Sequence, residues 1–150
     1  RTSGVSLAIV AIGDNATRLR LAGRLRAAGF RMATIIDPFS RVSPTAKIGV
    51  GTVVLPGCVI NADASVGENC IINTTTSIDH DCSIGDGVHI APGSSVCGGV
   101  VIGRGTFVGA GAVIIPGCRI GDNVVVGAGS TVIGDIQDGM RVAGSPCRPL

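Results

Sequence analysis

The chain contains two histidines, His80 and His89, and histidine is the side chain best suited to proton transfer near neutral pH. Asp79 and Asp81 flank His80, so a carboxylate stands on either side of it. A carboxylate paired with an imidazole raises its basicity and fixes its tautomer, which a general base requires. His80 is therefore a candidate general base, with Asp79 or Asp81 as its candidate partner.

The same residues do not predict a metal centre. A zinc site takes three or four ligands, and two histidines without a further cluster at ligand spacing do not supply them. We therefore expect no metal. The chemistry expected of His80 is acid–base chemistry alone.

A repeat positions both histidines. Every sixth residue from Val42 to Val132 is Val or Ile, sixteen times in succession. A period of six matches neither an α-helix nor a lone strand, so it predicts a repeat architecture. Three residues after the aliphatic the chain favours Gly, Asn or Asp, which tolerate the left-handed backbone of a sharp turn. Each hexad is predicted to be a short strand followed by a corner.

Three hexads are predicted to close a triangular coil of eighteen residues, because Gly follows the aliphatic in every third hexad. Sixteen hexads then form an all-β solenoid, a parallel β-helix of about five coils with a spacing of about 4.8 Å. In this register His80 lies at a corner and His89 on a straight side half a coil away. Both point outward on opposite sides of the prism, so a site that uses both would lie between neighbouring subunits.

We expect a small β-α-β fragment ahead of the solenoid. Its strands are predicted at Leu7–Ile12 and Met32–Ile36, and its basic helix starts at an N-cap, Asp14 or Asn15, and ends near Gly29. The fragment lacks a first strand and a Gly-rich turn, and the chain does not begin with Met, so we expect a further segment upstream. The expected division is residues 1–39 for the fragment, 40–138 for the β-helix and 139–150 for an extended C-terminal tail.

Composition narrows the range of partners. Residues 1–47 hold eight Lys or Arg and two Asp, and the basic helix there is either a solvated face or a surface facing a phosphorylated ligand. With no Trp or Tyr and three Phe, the chain has no stacking platform for nucleic acid. The arginines of this basic run are Arg18, Arg20, Arg24, Arg26 and Arg31.

The cysteines are expected to be free. Four of them occupy the small, inward position of the hexad, and Cys82 and Cys118, which share a face, lie two coils apart, too far to bridge. Small core thiols of this kind suit a reducing compartment. With neither a signal peptide nor a run of about eighteen apolar residues, we expect a soluble cytoplasmic protein that does not span a membrane. The four inward cysteines are Cys58, Cys70, Cys82 and Cys118.

Four segments, 11–15, 73–82, 88–93 and 143–146, resemble those of the hexapeptide-repeat sugar O- and N-acetyltransferases, including sialic acid O-acetyltransferases and UDP-4-amino-sugar N-acetyltransferases. The resemblance implies a left-handed parallel β-helix and acetyl-CoA as co-substrate. It also implies a nucleotide-sugar as the second substrate and a homotrimer with active sites between subunits.

The resemblance further implies roles for individual residues and direct transfer in a ternary complex, with backbone N–H groups stabilising the thioester oxyanion. A covalent route through Cys82 is disfavoured by its inward position. The implied roles are His80 as general base assisted by Asp81, His89 in contact with the acetyl group or pantetheine arm, Gly98, Ala110 and Ala128 in acetyl-CoA binding through backbone, and Gly13 and Asp14 in nucleotide-sugar binding.

The function expected from these residues is acetyl-CoA-dependent N-acetylation of a nucleotide-linked amino-sugar in surface glycan biosynthesis. O-acetylation of a sialic-acid-like sugar needs the same base and cleft, so it remains an alternative. A non-catalytic β-helix scaffold is an alternative of another class. It predicts no coenzyme A binding and no effect of replacing His80.

Overall fold

The computed structural model describes residues 4–150 as a parallel β-solenoid of about six turns, preceded by a small α/β fragment. In the fragment, strand β1 pairs in parallel with β2, and helix α1 connects them. The N-cap prediction is confirmed, because the Asp14 carboxylate accepts from the Thr17 N–H at 2.8 Å. The elements are β1 (Leu7–Ala8), α1 (Asn15–Ala27) and β2 (Arg31–Met32).

Three sheets form the sides of the prism, and the chain visits sides I, II and III in turn. Side I contains β3 (Ile35–Ile36), β6 (Val53–Val54), β9 (Ile71–Ile72), β12 (His89–Ile90), β15 (Phe107–Val108), β18 (Val125–Val126), β20 (Arg141–Gly144) and β21 (Cys147–Pro149). Side II contains β4 (Arg41–Val42), β7 (Val59–Ile60), β10 (Ser77–Ile78), β13 (Ser95–Val96), β16 (Val113–Ile114) and β19 (Thr131–Val132). Side III contains β5 (Lys47–Ile48), β8 (Ser65–Val66), β11 (Ser83–Ile84), β14 (Val101–Ile102) and β17 (Arg119–Ile120).

The solenoid is about one turn longer than the five coils expected. The predicted strand Met32–Ile36 is split: Arg31–Met32 pairs with β1, whereas Ile35–Ile36 pairs with Val53–Val54 on side I. Ile36 stands six residues before Val42 and so belongs to the repeat. At the other end the expected extended tail is a hairpin, in which β20 pairs in parallel with β18 and antiparallel with β21.

The inward positions are filled as the register predicts. The second residue of nearly every two-residue solenoid strand is buried, and the described cysteines are all free. Cys82 and Thr106 illustrate a shared role for the small inward position: each donates to the carbonyl fifteen residues later, at 3.1 Å and 2.8 Å. Cysteine therefore replaces Ser or Thr as a compact core donor.

The III–I corner, which follows each strand of side III, explains the glycine of every third hexad. A Cβ on Gly103 would lie 2.5 Å from the Gly121 carbonyl carbon and 2.6 Å from the Asp122 nitrogen. The coils approach this closely because the Asp122 carboxylate reaches back to accept from the Arg104 N–H at 2.7 Å. Glycine here leaves room for the Asp122 carboxylate of the adjoining coil, which caps the Arg104 N–H.

The basic helix is solvated only in part. Three of its four arginines are exposed, but Arg18 is 1% exposed, and Arg31 of the basic run lies in β2, where it is exposed. Arg26 forms an exposed ion pair with Glu68 at 2.6 Å, which joins α1 to the III–I corner. Among residues 4–150, no helix combines the length and apolarity that crossing a membrane requires.

The Gly103→Ala variant tests this account of the corner. The added Cβ meets backbone of the adjoining coil, so we expect the free energy of unfolding to fall by about 1–3 kcal/mol. Gly134→Ala is the matched control, because a Cβ there meets nothing within 4 Å, and its effect should stay within about 0.5 kcal/mol. Denaturant unfolding followed by circular dichroism measures both. Equal stability of the two variants would contradict the packing argument.

Candidate active site

His80 lies at the II–III corner, directly after β10, and its turn is held by side chains. The Asp79 carboxylate accepts from the His80 N–H at 2.8 Å and from the Asn61 amide of the preceding coil at 2.9 Å. These hydrogen bonds lower the pKa of Asp79, that from Asn61 most, and keep the carboxylate charged. Asp81 takes the left-handed conformation, with φ of 59°. The corner therefore presents His80 outward on a fixed turn.

The His80 ring is paired with Asp81 and open on its other edge. Nδ1 lies 2.8 Å from the Asp81 carboxylate, which can only accept, so Nδ1 carries the proton and Nε2 presents its lone pair. The hydrogen bond to Asp81 raises the pKa of His80, and the charge of Asp79 adds to this. The side chain is 61% exposed. His80 thus has the tautomer, basicity and access that a general base needs.

Gly98 lies against the open edge of this ring. It stands one coil beyond His80, and a Cβ placed on it would lie 2.8 Å from both Cε1 and Nε2 of His80. The absence of a side chain at Gly98 is therefore what leaves room for the ring. The corner turn places Asp81 beside His80, and the eighteen-residue register places Gly98 beside it.

His89 lies on side I and is half-buried. Backbone groups fix the hydrogen-bond partners of both ring nitrogens. The Asn73 side-chain oxygen accepts from the Thr74 N–H at 2.8 Å, so the Asn73 amide nitrogen faces His89 Nε2 at 3.2 Å. Nε2 is then an acceptor, and Nδ1 carries the proton that it donates to the Gly13 carbonyl at 3.4 Å. The tautomer of His89 is thereby assigned from its neighbours.

His89 is consequently a neutral side chain with a hydrogen bond at each ring nitrogen. Burial lowers its pKa, and the ring packs edge-on against Phe107 with centroids 5.2 Å apart. Both ring nitrogens contact groups of the same chain. The sequence predicted an outward His89 on a straight side but did not reveal its bond to the N-terminal fragment.

Ala110 and Ala128 are exposed and stacked at the I–II corner, where the Gly129 N–H donates to the Ala110 carbonyl at 2.8 Å. Many corner N–H groups are capped by side chains, as Asn73 caps Thr74. Within residues 4–150, no acceptor of the chain receives the N–H of Gly98, Ala110 or Ala128. These three amides are available to a ligand.

A cavity of about 400 Å³ lies between the start of α1 and side I. Gly13 and Asp14 line it, and the hydrogen bonds from Thr17 lower the pKa of Asp14. Phe107 and Asn123 form its solenoid wall and were missed by sequence reasoning. The signal for Phe107 was available, because it stands eighteen residues after His89. A second cavity of about 460 Å³, also beside α1, is lined by apolar residues and Arg24.

Three groups of candidate residues are thus brought together separately. His80, Asp81 and Gly98 share the II–III corner, which faces side I across the core. The second group is Gly13 and Asp14, which lie against side I, with His89, and the third, at the I–II corner, is Ala110 and Ala128. Because the core separates the II–III corner from side I, one chain alone does not bring His80 to the second group.

Cys82, which follows the His80 turn, is a poor nucleophile in this fold. It is buried, burial raises the pKa of its thiol, and Sγ donates to the Cys97 carbonyl at 3.1 Å. The thiolate needed for covalent catalysis is therefore disfavoured. In the part of the chain that the structure describes, no group of three or more His, Cys, Asp or Glu side chains could hold a metal ion.

Comparison with known proteins identifies the family. The bacterial transferase hexapeptide (six repeats) model matches residues 63–98 and 99–134, and no curated protein sequence matches the chain. PerB from Caulobacter crescentus, solved with CoA and GDP-perosamine, is 41% identical with a TM-score of 0.97, over 98% of this chain and 71% of that chain. The chain therefore belongs to the hexapeptide-repeat family of sugar acetyltransferases.

Two further proteins with solved structures share this fold. The acetyltransferase domain of PglB from Neisseria gonorrhoeae FA1090 is 39% identical with a TM-score of 0.92, over 95% of this chain and 69% of that chain. The same domain has been solved in complex with acetyl coenzyme A. WeeI from Acinetobacter baumannii AYE is 26% identical with a TM-score of 0.96, over 100% of this chain and 73% of that chain.

The Gly98→Ala variant tests the fit of Gly98 against His80. The added methyl occupies the space of the ring's open edge, so the ring must turn away, and we expect turnover to fall by about 10²-fold. Gly134→Ala again serves as control, and both variants should melt near the wild-type temperature because His80 is exposed. Steady-state kinetics measures the effect. Full activity in Gly98→Ala would show that the ring need not occupy this position.

Proposed function

We propose that the protein is an acetyl-CoA-dependent N-acetyltransferase that acts on a nucleotide-linked amino-sugar in surface glycan biosynthesis. The observation that carries the proposal is the His80–Asp81 pair, joined at 2.8 Å with Nε2 open beside Gly98. Its family context supports the same chemistry, because PerB has been solved with CoA and GDP-perosamine and the PglB domain with acetyl coenzyme A.

His80 acts as the general base in this proposal. The acceptor amine attacks the thioester carbonyl carbon and forms the N–C bond, while Nε2 of His80 takes the amine proton. Collapse of the tetrahedral intermediate breaks the C–S bond, and the proton passes to the leaving thiolate of coenzyme A. Asp81 stabilises the imidazolium formed between these steps. Atoms and protons balance without a covalent enzyme intermediate.

Uncapped backbone amides and the cavity at the start of α1 supply the proposed binding sites for the two substrates. The uncapped N–H groups of Gly98, Ala110 and Ala128 are donors for acetyl-CoA, and a donor near the thioester oxygen would stabilise its developing charge. The cavity beside Gly13 and Asp14 is the proposed site of the nucleotide-sugar, as part of a fragment covering residues 1–39. His89 lies at the edge of that cavity region, through its bond to Gly13.

The proposed assembly is a homotrimer with active sites between subunits. It is supported by the separation of the three residue groups and by the exposed aliphatic side chains of side II, which joins the I–II and II–III corners. Val59 and Val113 are 39% and 38% exposed there, and Ile133, at the corner directly after β19, is 52% exposed. A mass of three chains in solution is the expected result, and a monomer that turns over at the full rate would reject this assembly. Unpaired cysteines and the intracellular donor support a cytoplasmic location.

Turnover of His80→Ala tests the function. The wild type should release free coenzyme A from acetyl-CoA with one of a panel of UDP- and GDP-linked 4-amino-sugars, and His80→Ala should lose about 10²–10⁴-fold in turnover while it still binds coenzyme A. Sialic acid in the same panel tests O-acetylation. A wild type that binds no coenzyme A would favour the scaffold, and wild-type turnover in His80→Ala would remove His80 as the base.

The pH profile of Asp81→Asn tests the pairing in the same assay. A general base works when it is deprotonated, so kcat/KM falls as pH falls through the pKa of His80. In the wild type this limb should lie above the ordinary histidine pKa of 6.5, because Asp81 raises it. Asp81→Asn should move the limb to lower pH and reduce the plateau. An unchanged limb would show that Asp81 does not set the basicity of His80.

A further inference from the structure

Arg18 is an unusual residue of helix α1, because it is almost completely buried at 1% exposure. Its guanidinium lies between α1 and the III–I corner and contacts two successive coils at that corner as well as the loop before the helix. It donates to the carbonyls of Asn69 at 2.8 Å, Gly87 at 2.8 Å, Ile12 at 3.0 Å and Gly13 at 3.1 Å, and to the Asn15 side-chain oxygen at 2.7 Å.

All five acceptors are neutral, so no carboxylate contacts this buried charge. Burial of an arginine without a carboxylate in contact is costly, and apolar residues of similar size often replace buried charges without loss of stability. Helix α1 already has other attachments to the solenoid, including the Arg26–Glu68 ion pair and the Asn15 amide, which donates to the Gly105 carbonyl at 2.9 Å. Anchoring alone therefore does not account for Arg18.

The Gly13 carbonyl joins Arg18 to His89. It accepts from the Arg18 Nη1 at 3.1 Å and from the His89 Nδ1 at 3.4 Å. Arg18 also holds the neighbouring carbonyl of Ile12, so the direction of the Gly13 carbonyl is set from the helix side. This carbonyl accepts the Nδ1 proton of His89, whose tautomer the Asn73 amide fixes from the other side of the ring.

We propose that Arg18 is a positioning residue, whose guanidinium sets the loop of residues 12–14 against side I and, through the Gly13 carbonyl, holds the hydrogen-bond acceptor of the His89 Nδ1–H in place. The loop lines the cavity assigned above to the nucleotide-sugar, so the kinetic consequence rests on the proposed function. The hydrogen bond of His89 does not, because it is a property of the unliganded protein. The two consequences are tested separately.

Exchange of imidazole N–H protons with water, followed by ¹⁵N-resolved NMR of the full chain, reports this hydrogen bond. The Nδ1–H of His89 should exchange slowly in the wild type. In Arg18→Met the Gly13 carbonyl is released, so this proton should exchange at least about tenfold faster, while the Nδ1–H of His80, held by Asp81, stays unchanged. Arg26→Met is the matched control, since it removes an exposed contact of the same helix. Wild-type protection of the His89 proton in Arg18→Met would overturn the proposal.

Kinetics and chemical rescue separate positioning from a general loss of structure. Arg18→Ala should raise KM for the nucleotide amino-sugar at least about tenfold, with kcat within about twofold and a smaller rise in KM for acetyl-CoA, which His89 is expected to contact. Methylguanidinium should restore both the KM for the nucleotide amino-sugar and the protection of the His89 Nδ1–H, because it replaces the missing donors. An Arg18→Lys variant should restore neither of these, since one ammonium cannot reach both coil carbonyls and the loop together.

The outcomes distinguish the two proposals. A wild type without turnover rejects the proposed function and leaves the proton-exchange experiment decisive for Arg18. Equal losses in both KM values, or a lowered melting temperature of the solenoid without methylguanidinium rescue, would assign Arg18 to folding and overturn the positioning role. A rise mainly in KM for the nucleotide amino-sugar that methylguanidinium reverses supports the positioning role.

Discussion

Hydrogen bonding between successive coils is the constraint on which the rest of the molecule depends. Each strand from β3 to β19 pairs with a strand eighteen residues away, so residues at that spacing are stacked whatever their chemistry. The contacts that shape the candidate site follow from this one spacing. Asn61 holds Asp79, Gly98 admits the ring of His80, and Phe107 packs on His89, each pair eighteen residues apart. The scaffold thus converts a linear period into a two-dimensional arrangement of side chains.

Features that share this period could be predicted from the sequence, and features that do not share it could not. The sheets, the inward cysteines and the outward His80 are all consequences of register. The burial of Arg18 is not, because a run of arginines on a helix carries no sign of the carbonyls that the corner supplies. Similarly, the bond from His89 to Gly13 joins residues 76 positions apart with no periodic relation.

The two histidines show how environment divides one chemistry into two tasks. His80 is exposed beside a carboxylate, which raises its pKa and leaves one nitrogen open. His89 is half-buried between neutral groups, so burial lowers its pKa and both nitrogens are committed. The first arrangement favours exchange of protons and the second favours a fixed hydrogen-bond geometry. The carboxylate and the depth of burial, not the residue type, decide which task each performs.

The stacking of coils also fixes distances along the solenoid axis. Taking about 4.8 Å per coil, the uncapped amides of Gly98, Ala110 and Ala128 stand about 5, 8 and 13 Å along the axis from His80. Because strands must stay in register, this separation changes only in whole coils, by insertion or loss of eighteen residues. The length of an extended ligand that reaches from the base to the last amide is therefore set in discrete steps. Corner substitutions adjust what is bound at each step and leave the steps unchanged.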